Sequence, residues 1–498
     1  MKTKYILYTF VAMMLLMVSC KKYLDQQPIS SPTDQTSWQT DGDANSGVAA
    51  AYALTRAAAN AAISYYSYGD LYSGEFSSCI DPSYQAVLSF VWNRGAPIAN
   101  NYDPIIKLRV WTPYYTAIAQ ANRCLQFIAG MPTSAFTGAT PAAQLAQKNH
   151  YLAEAYFVRA YNYYTLCTIW GDVPLTLVND DSTVSTELAR TPQATVLKQV
   201  IADINVALPN LAIKDPASTT RNYRADKGIC YALLAHLYAW MGDYDSCNTA
   251  CDNVIATGSY SLVPAANFTS IFSTGQTSES IFEIAQNTLA ESVQVINYTF
   301  ERSVLTSPYI NAKTTPDFAM NEGSLAIYTD PNDVRLTKCF ATFLNGTTTL
   351  HECIKYINIV NVGGLATQQA ALNNIVVFRL GDIDLLKAEA LCAKAAPDYT
   401  TALALVNTVR TNRNAAALAG VSNANMLQTV FDERGRELYL EGQRSFDLIR
   451  LERLNGVQQF AGMSQTEFTA GKYYWPVEPG LFLTNSKLTQ TPFWAGKL

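Results

Sequence analysis

One stretch near the C-terminal end, residues 431–454 (FDERGRELYLEGQRSFDLIRLERL), constrains the fold more than any other, because its charge and bulk alternate with helical period. Arg434, Glu437, Glu441 and Arg444 stand at i, i+3, i+7 and i+10, a plus, minus, minus, plus stripe beside a packing stripe of Phe431, Leu438, Ser445 and Ile449. Two carboxylates one turn apart repel unless cations flank them, and the spacing puts Arg434 and Arg444 where they can. The stretch reads as a structural ion ladder; the competing reading is a catalytic carboxylate pair. Gly442 interrupts the run, and the helix is expected to bend or end there.

Helical periodicity recurs at residues 48–62, 111–128, 149–169, 190–211, 227–255 and 388–413. In residues 227–257, Gly228, Ala232, Ala235, Ala239 and Gly242 form a small-residue stripe, and Gly242-Asp243-Tyr244-Asp245 makes a turn into a second helix, the pattern of a tetratricopeptide pair. The expected fold is mainly α: about four tetratricopeptide-like helix pairs forming a scaffold, with a loop-rich, mixed insertion in the second half. Residues 44–498 form one body, divided into an N-terminal helical part (44–258), the loop-rich part (259–375) and a C-terminal helical part (376–498). Within the insertion, short strands are expected at 280–285 and 294–300. The run Asp41-Gly42-Asp43-Ala44-Asn45 imitates a calcium loop, but Tyr52 stands where a bidentate Glu is needed, so it reads as a capping turn.

A chain of 498 residues that is 49% hydrophobic can bury a large core. Its 35 basic and 40 acidic residues give a net charge of −5, which leaves no electrostatic footprint for nucleic acid. The first twenty residues, MKTKYILYTFVAMMLLMVSC, carry lysines, an apolar run of about 14 residues and a small residue before Cys20, the form of a secretory signal ending at 19 and too short to span a membrane. Residues 20–43 read as a tether. Setting Cys20 aside, the 10 cysteines leave an odd number, which excludes complete internal pairing, and Cys124, Cys167, Cys230 and Cys392 read as small buried hydrophobes. The three histidines are scattered, so no metal site is expected.

The run RGRELYLEGQRSFDLIR, followed by YYWPVEPGLFLTNSKLTQTPFW at 473–494, resembles the C-terminal signature of the SusD/RagB family of outer-membrane nutrient-binding lipoproteins. EAYFVRAYNYYTLCTIWGDVPL at 154–175, RADKGICYALLAHLYAWMGDYDSC at 224–247 and FRLGDIDLLKAEAL at 378–391 resemble further blocks of that family, in order. Met17-Val18-Ser19-Cys20 resembles a bacterial lipobox, which implies acylation of Cys20 and an outer-membrane lipid anchor. The resemblance further implies capture of an oligosaccharide at the outer cell surface and delivery to a SusC-like TonB-dependent transporter, without a cofactor. Alternatives are RagB-like uptake of peptides or glycoproteins, and a tetratricopeptide scaffold lipoprotein that holds protein partners.

No GxSxG, Walker A, dinucleotide-binding or HExxH motif occurs, and arginine-flanked carboxylates make poor general acids, so no catalytic residue is assigned. Asp330, Asp333 and Arg335 read as a structural turn with an ion pair. A glycan platform needs aromatic rings beside amides, hydroxyls or carboxylates, a combination expected on loops. Two loop regions fit: residues 73–103, with Tyr84, Trp92, Asn93 and Tyr102, and residues 286–328, with Tyr298 and Tyr309. Trp92 with Asn93 is the first choice, an indole offering stacking beside an amide offering hydrogen bonds.

Overall fold

Helix α1 (Asp41–Asn60) opens with a capping box in which the Thr40 hydroxyl accepts the Asp43 N–H and the Asp43 carboxylate accepts the Thr40 N–H. The DGDAN run is therefore the first turn of the helix, which begins at Asp41 rather than 48 because Asp41 and Asp43 sit favourably at the positive end of its dipole. The computed structural model describes residues 37–498 apart from 95–102, 180–186, 216, 219, 293–295, 297, 298 and 366. Cys20, the signal and most of the tether lie outside the described residues.

The other long helices are α2 (Thr112–Gly130), α3 (Pro141–Trp170), α4 (Gln193–Ala207), α5 (Lys227–Met241), α6 (Tyr244–Ala256), α7 (Leu380–Ala393), α8 (Tyr399–Asn412), α9 (Asn423–Glu437) and α10 (Arg444–Asn455). They pack in succession, α1 on α2, α3 on α4, α5 on α6 and α7 on α8, and α2 on α3 and α6 on α7 join the pairs into the expected tetratricopeptide-like scaffold. The reason is clearest at α5 and α6. Gly228, Ala232, Ala235 and Ala239 are all buried, and a β-carbon at Gly228 would lie 2.2 Å from the hydroxyl of Tyr260, so Gly228 makes room for the segment that follows α6. Gly242, at φ 79°, ends α5 in the left-handed region, and the Asp243 carboxylate caps α6 by accepting the Ser246 N–H at 3.1 Å. The cysteines expected to be buried, Cys124, Cys167, Cys230 and Cys392, are buried free thiols.

Among the described residues, eight short strands form four antiparallel pairs: β1 (Phe76–Cys79) with β3 (Phe318–Met320), β2 (Ser280–Ile284) with β8 (Ile375–Arg379), β4 (Phe340–Asn345) with β5 (Thr348–Cys353), and β6 (Ile359–Asn361) with β7 (Gln369–Ala371). β2 occupies the place expected for a strand at 280–285. The second expected strand, 294–300, falls mostly outside the described residues, and Phe300 instead opens a short helix, Phe300–Val304, whose N–H groups the Thr299 hydroxyl caps.

Candidate functional site

The charged stretch at 431–454 is not a self-contained ladder. α9 ends at Glu437, and the backbone turns through Leu440 at φ 55° and Gly442 at φ 77° before α10 starts at Arg444, so Glu441 and Arg444 leave the helical stripe. Arg434 and Arg444 do not flank the glutamates. Arg434 instead binds Asp382 and Asp447, each at 2.9 Å, and Arg444 donates to the Phe431 carbonyl at 2.9 Å. Cations from distant segments take their place: Arg335, Arg379 and Arg413 lie 2.9, 2.6 and 2.8 Å from Glu437, while Arg379 and Lys355 lie 2.7 and 2.6 Å from Glu441. Arg335 also binds Asp333, so the 330–335 turn is a structural ion pair as expected. Burial raises the proton affinity of Glu437, but the guanidinium groups of Arg413, Arg379 and Arg335 outweigh it and hold the carboxyl well below the usual range. A fully buried carboxylate held ionised at neutral pH has neither the proton nor the access that a general acid needs.

This ion core is tied to a surface cleft. The Asp70 carboxylate accepts the Gly442 N–H at 2.6 Å, and Asp70 follows the short helix Ser64–Gly69, which starts directly after the turn Ala61–Ile63. That turn forms one wall of a cavity of about 800 Å³, within the range of small-molecule sites. The opposite wall comes from the two loop regions expected to bind ligand, brought together by β1 and β3: Cys79 pairs with Phe318, and the Ile80 N–H donates to the Asp317 carbonyl at 2.8 Å. Ile80 is 66% exposed and supplies apolar surface at the rim. Asn60, Asp81, Lys107, Ser303 and Asp317 supply polar groups. Arg302 and Lys313 lie 2.7 and 3.3 Å from Asp317, and burial pushes the Lys313 ammonium down to about 8 although Asp317 opposes it. Ala62 and Ile63 both stand in the left-handed region, at φ 55° and 56°, a strained conformation for a β-branched residue and one that recurs at functional sites. The Tyr84 hydroxyl holds the turn by donating to the Ala62 carbonyl at 2.9 Å.

Two family models match the chain, one described as "Starch-binding associating with outer membrane" over residues 22–239 and one described as "SusD family" over residues 342–494. This chain belongs to the SusD family. A SusD-like protein of Formosa agariphila is 26% identical over 98% of this chain and 99% of its own length. A SusD superfamily structure from Bacteroides thetaiotaomicron is 25% identical with a TM-score of 0.74, covering 92% of this chain and 99% of the other. NanU of B. fragilis shares the fold, with a TM-score of 0.71 at 22% identity over 94% of this chain and 99% of its own. No helix among the described residues of this SusD-family chain is long and apolar enough to cross a membrane.

Of the residues the sequence singled out for binding that lie among the described residues, the SusD fold brings Tyr84 alone to the cleft. Trp92, the first choice, is 0% exposed: its indole stacks on Trp475 at 4.6 Å and donates to the Val87 carbonyl at 2.9 Å, so it offers no face to a ligand. Asn93 is half-buried and spends its amide on the Lys497 carbonyl at 2.8 Å. Both positions are corrections with one cause: the loop folds inward onto the aromatic C-terminal segment, where an indole gains more from burial than from display. Tyr309 is half-buried and does not line the cleft, while Tyr102 and Tyr298 lie outside the described residues. Sequence reasoning missed Asn60, Ile80, Asp81, Lys107, Ser303 and Asp317. The one available signal was that Ile80-Asp81-Pro82 places an apolar residue before a Pro-started helix whose cap is Asp81.

Proposed function

We propose that this SusD-family protein captures an oligosaccharide at the outer cell surface, in the cleft between the Ala61–Ile63 turn and the β1–β3 pair, and passes it to a SusC-like TonB-dependent transporter. The observation that carries the reading is the cleft itself. It pairs exposed apolar surface at Ile80 with amide, carboxylate, hydroxyl and ammonium groups around one volume, which suits the C–H faces and hydroxyl rims of a sugar. The description of the matching N-terminal family model, starch binding in association with the outer membrane, supports the same reading. Capture needs neither catalysis nor a cofactor.

Replacing Ile80 by Trp is expected to fill the cleft and weaken binding of maltooligosaccharides by about tenfold or more, roughly 1.4 kcal/mol, with an unchanged melting temperature because the side chain is exposed. Calorimetric titration of parent and variant decides it; equal affinities would remove the cleft from the reading. Anchoring through acylated Cys20 is part of the proposal. Cys20→Ala is expected to move the protein from the outer-membrane fraction to the soluble fraction, since acyl chains contribute about 0.8 kcal/mol per buried methylene. Retention of the variant in membranes that lack the transporter would contradict acyl anchoring.

A further inference from the structure

Most of the hydrogens that the side chains lining the cleft could offer a ligand are already spent on main-chain carbonyls. The Tyr84 hydroxyl donates to Ala62 at 2.9 Å, the Ser303 hydroxyl to Thr299 at 3.0 Å, and the Asn60 amide to Arg56 at 2.9 Å. What each residue keeps is an oxygen with acceptor capacity. The two carboxylates of the cleft carry the pattern further. Asp81 commits Oδ1 to the Ser83 N–H at 2.7 Å, the bond that caps the helix Pro82–Leu88, and its Oδ2 has no partner among the described residues. Arg302 and Lys313 both hold Asp317 by Oδ2, at 2.7 and 3.3 Å, and Lys313 also donates to the Arg302 carbonyl. The Oδ1 of Asp317 has no partner among the described residues, and its side chain is 31% exposed. Ile80 stands opposite Asp317, one step beyond the Cys79–Phe318 pair. Opposed side chains of an antiparallel pair share one face, about 5 Å apart, so the exposed Ile80 side chain has a carboxylate at its edge.

Resting on the glycan reading above, we propose that the cleft selects saccharides by their hydroxyl hydrogens, with Asp317 and Asp81 as the specificity-determining acceptors, so that a chain with free hydroxyls binds and an O-methylated or O-acylated one is rejected. A sugar laid with a C–H face on Ile80 carries its hydroxyls at the rim, where the Asp317 carboxylate receives them. Lys107 and the second amide hydrogen of Asn60 are the side-chain donors left on this wall, and they serve ligand oxygens. An ether or ester oxygen placed against Asp317 brings no hydrogen. It strips the carboxylate of water and leaves it facing another acceptor, the case in which an unmade hydrogen bond costs most. A site built around hydrogen bonds to hydroxyls therefore rejects analogues that lack them far more strongly than an apolar pocket rejects a change of size.

Asparagine at either position exchanges the acceptor for a donor at constant size. In Asp317→Asn the amide oxygen keeps the place beside Arg302 and Lys313, where an amide nitrogen would meet two cations, and the NH2 turns to the cleft. In Asp81→Asn the oxygen keeps the Ser83 N–H, with the same result. Calorimetric titration of the parent, both variants and Ile80→Trp with maltotriose and with fully O-methylated maltotriose reads the exchange. The parent is expected to bind the free sugar about tenfold or more tightly than the methylated one, and each asparagine variant to narrow that ratio by about threefold or more. The bulk of the methyl groups is common to all the proteins, so the change in ratio reports the hydrogen bonds. Narrowing in one variant alone supports the reading and assigns it to that carboxylate. Equal affinity for both sugars in the parent, or a ratio unchanged in both variants, overturns selection by hydroxyl hydrogens and leaves the cleft as the binding site. Unchanged maltotriose binding in Ile80→Trp, or a parent that binds neither sugar, overturns the cleft reading and this inference with it.

Discussion

Glu437→Ala is expected to leave little stably folded protein at 37 °C. The substitution would leave Arg335, Arg379 and Arg413, all of them buried, without a carboxylate they share at 2.6–2.9 Å. Breaking one buried pair costs about 3–5 kcal/mol, and a whole domain is stable by only about 5–15 kcal/mol. Here one carboxylate serves three cations, so the upper end of the range applies. Glu437→Gln keeps one of the two acceptor oxygens but not the charge, and should fall between parent and alanine variant. Urea denaturation of the three proteins measures the order. An alanine variant with the parent's midpoint would mean that the network contributes nothing to stability and would reopen a chemical role for Glu437. The neighbouring Glu441→Ala should act through Lys355 and Arg379, its actual partners, rather than through Arg434 or Arg444.

Stability is expected to peak at mildly acidic pH, near about pH 5, because two sets of buried acids pull in opposite directions. Burial pushes the Asp70 carboxyl up to about 7, against the Gly442 and Arg444 amides that hold it down. Burial likewise raises Glu301 and Asp384 to about 7 and Asp226 to about 6. A group whose folded pKa lies above its unfolded one stabilises the fold while protonated, and that stabilisation is lost as pH rises from about 4 through 7. For Asp70 alone this is on the order of 4 kcal/mol. Glu433, Glu437, Asp382 and Asp447 are shifted the other way: burial raises each, but their arginine or histidine partners outweigh it. Their stabilisation is present above the ordinary carboxylate range and is lost as pH falls through their depressed values. Denaturation midpoints at pH 4, 5, 6, 7 and 8 should trace the peak, and Asp70→Asn should flatten the fall between pH 5 and 8. A variant that loses stability over that interval as steeply as the parent would show that Asp70 ionises in the fold without penalty.

What the sequence determined by itself is whatever depends on near neighbours. Period and small-residue spacing predicted the helix pairs, because the contacts that make a helix lie three and four residues apart. The Gly242-Asp243 turn was legible for the same reason: a left-handed glycine and a capping carboxylate act within one turn. So was the burial of the cysteines in apolar helices. The loop regions at 73–103 and 286–328 were legible as regions, from the loss of helical period. Only the tertiary structure decided which of their residues share a cleft, because that depends on the β1–β3 pairing between segments more than two hundred residues apart. Trp92 shows the cost of reading such a loop locally: an indole beside an amide suits a sugar equally well whether the ring faces solvent or Trp475, and the partner that decides the matter is remote in the chain. The ion ladder failed for the same physical reason. Charge spacing within residues 431–454 showed that Glu437 and Glu441 need cations, but Coulomb attraction acts through space, and the folded chain supplies Arg335, Lys355, Arg379 and Arg413 from elsewhere.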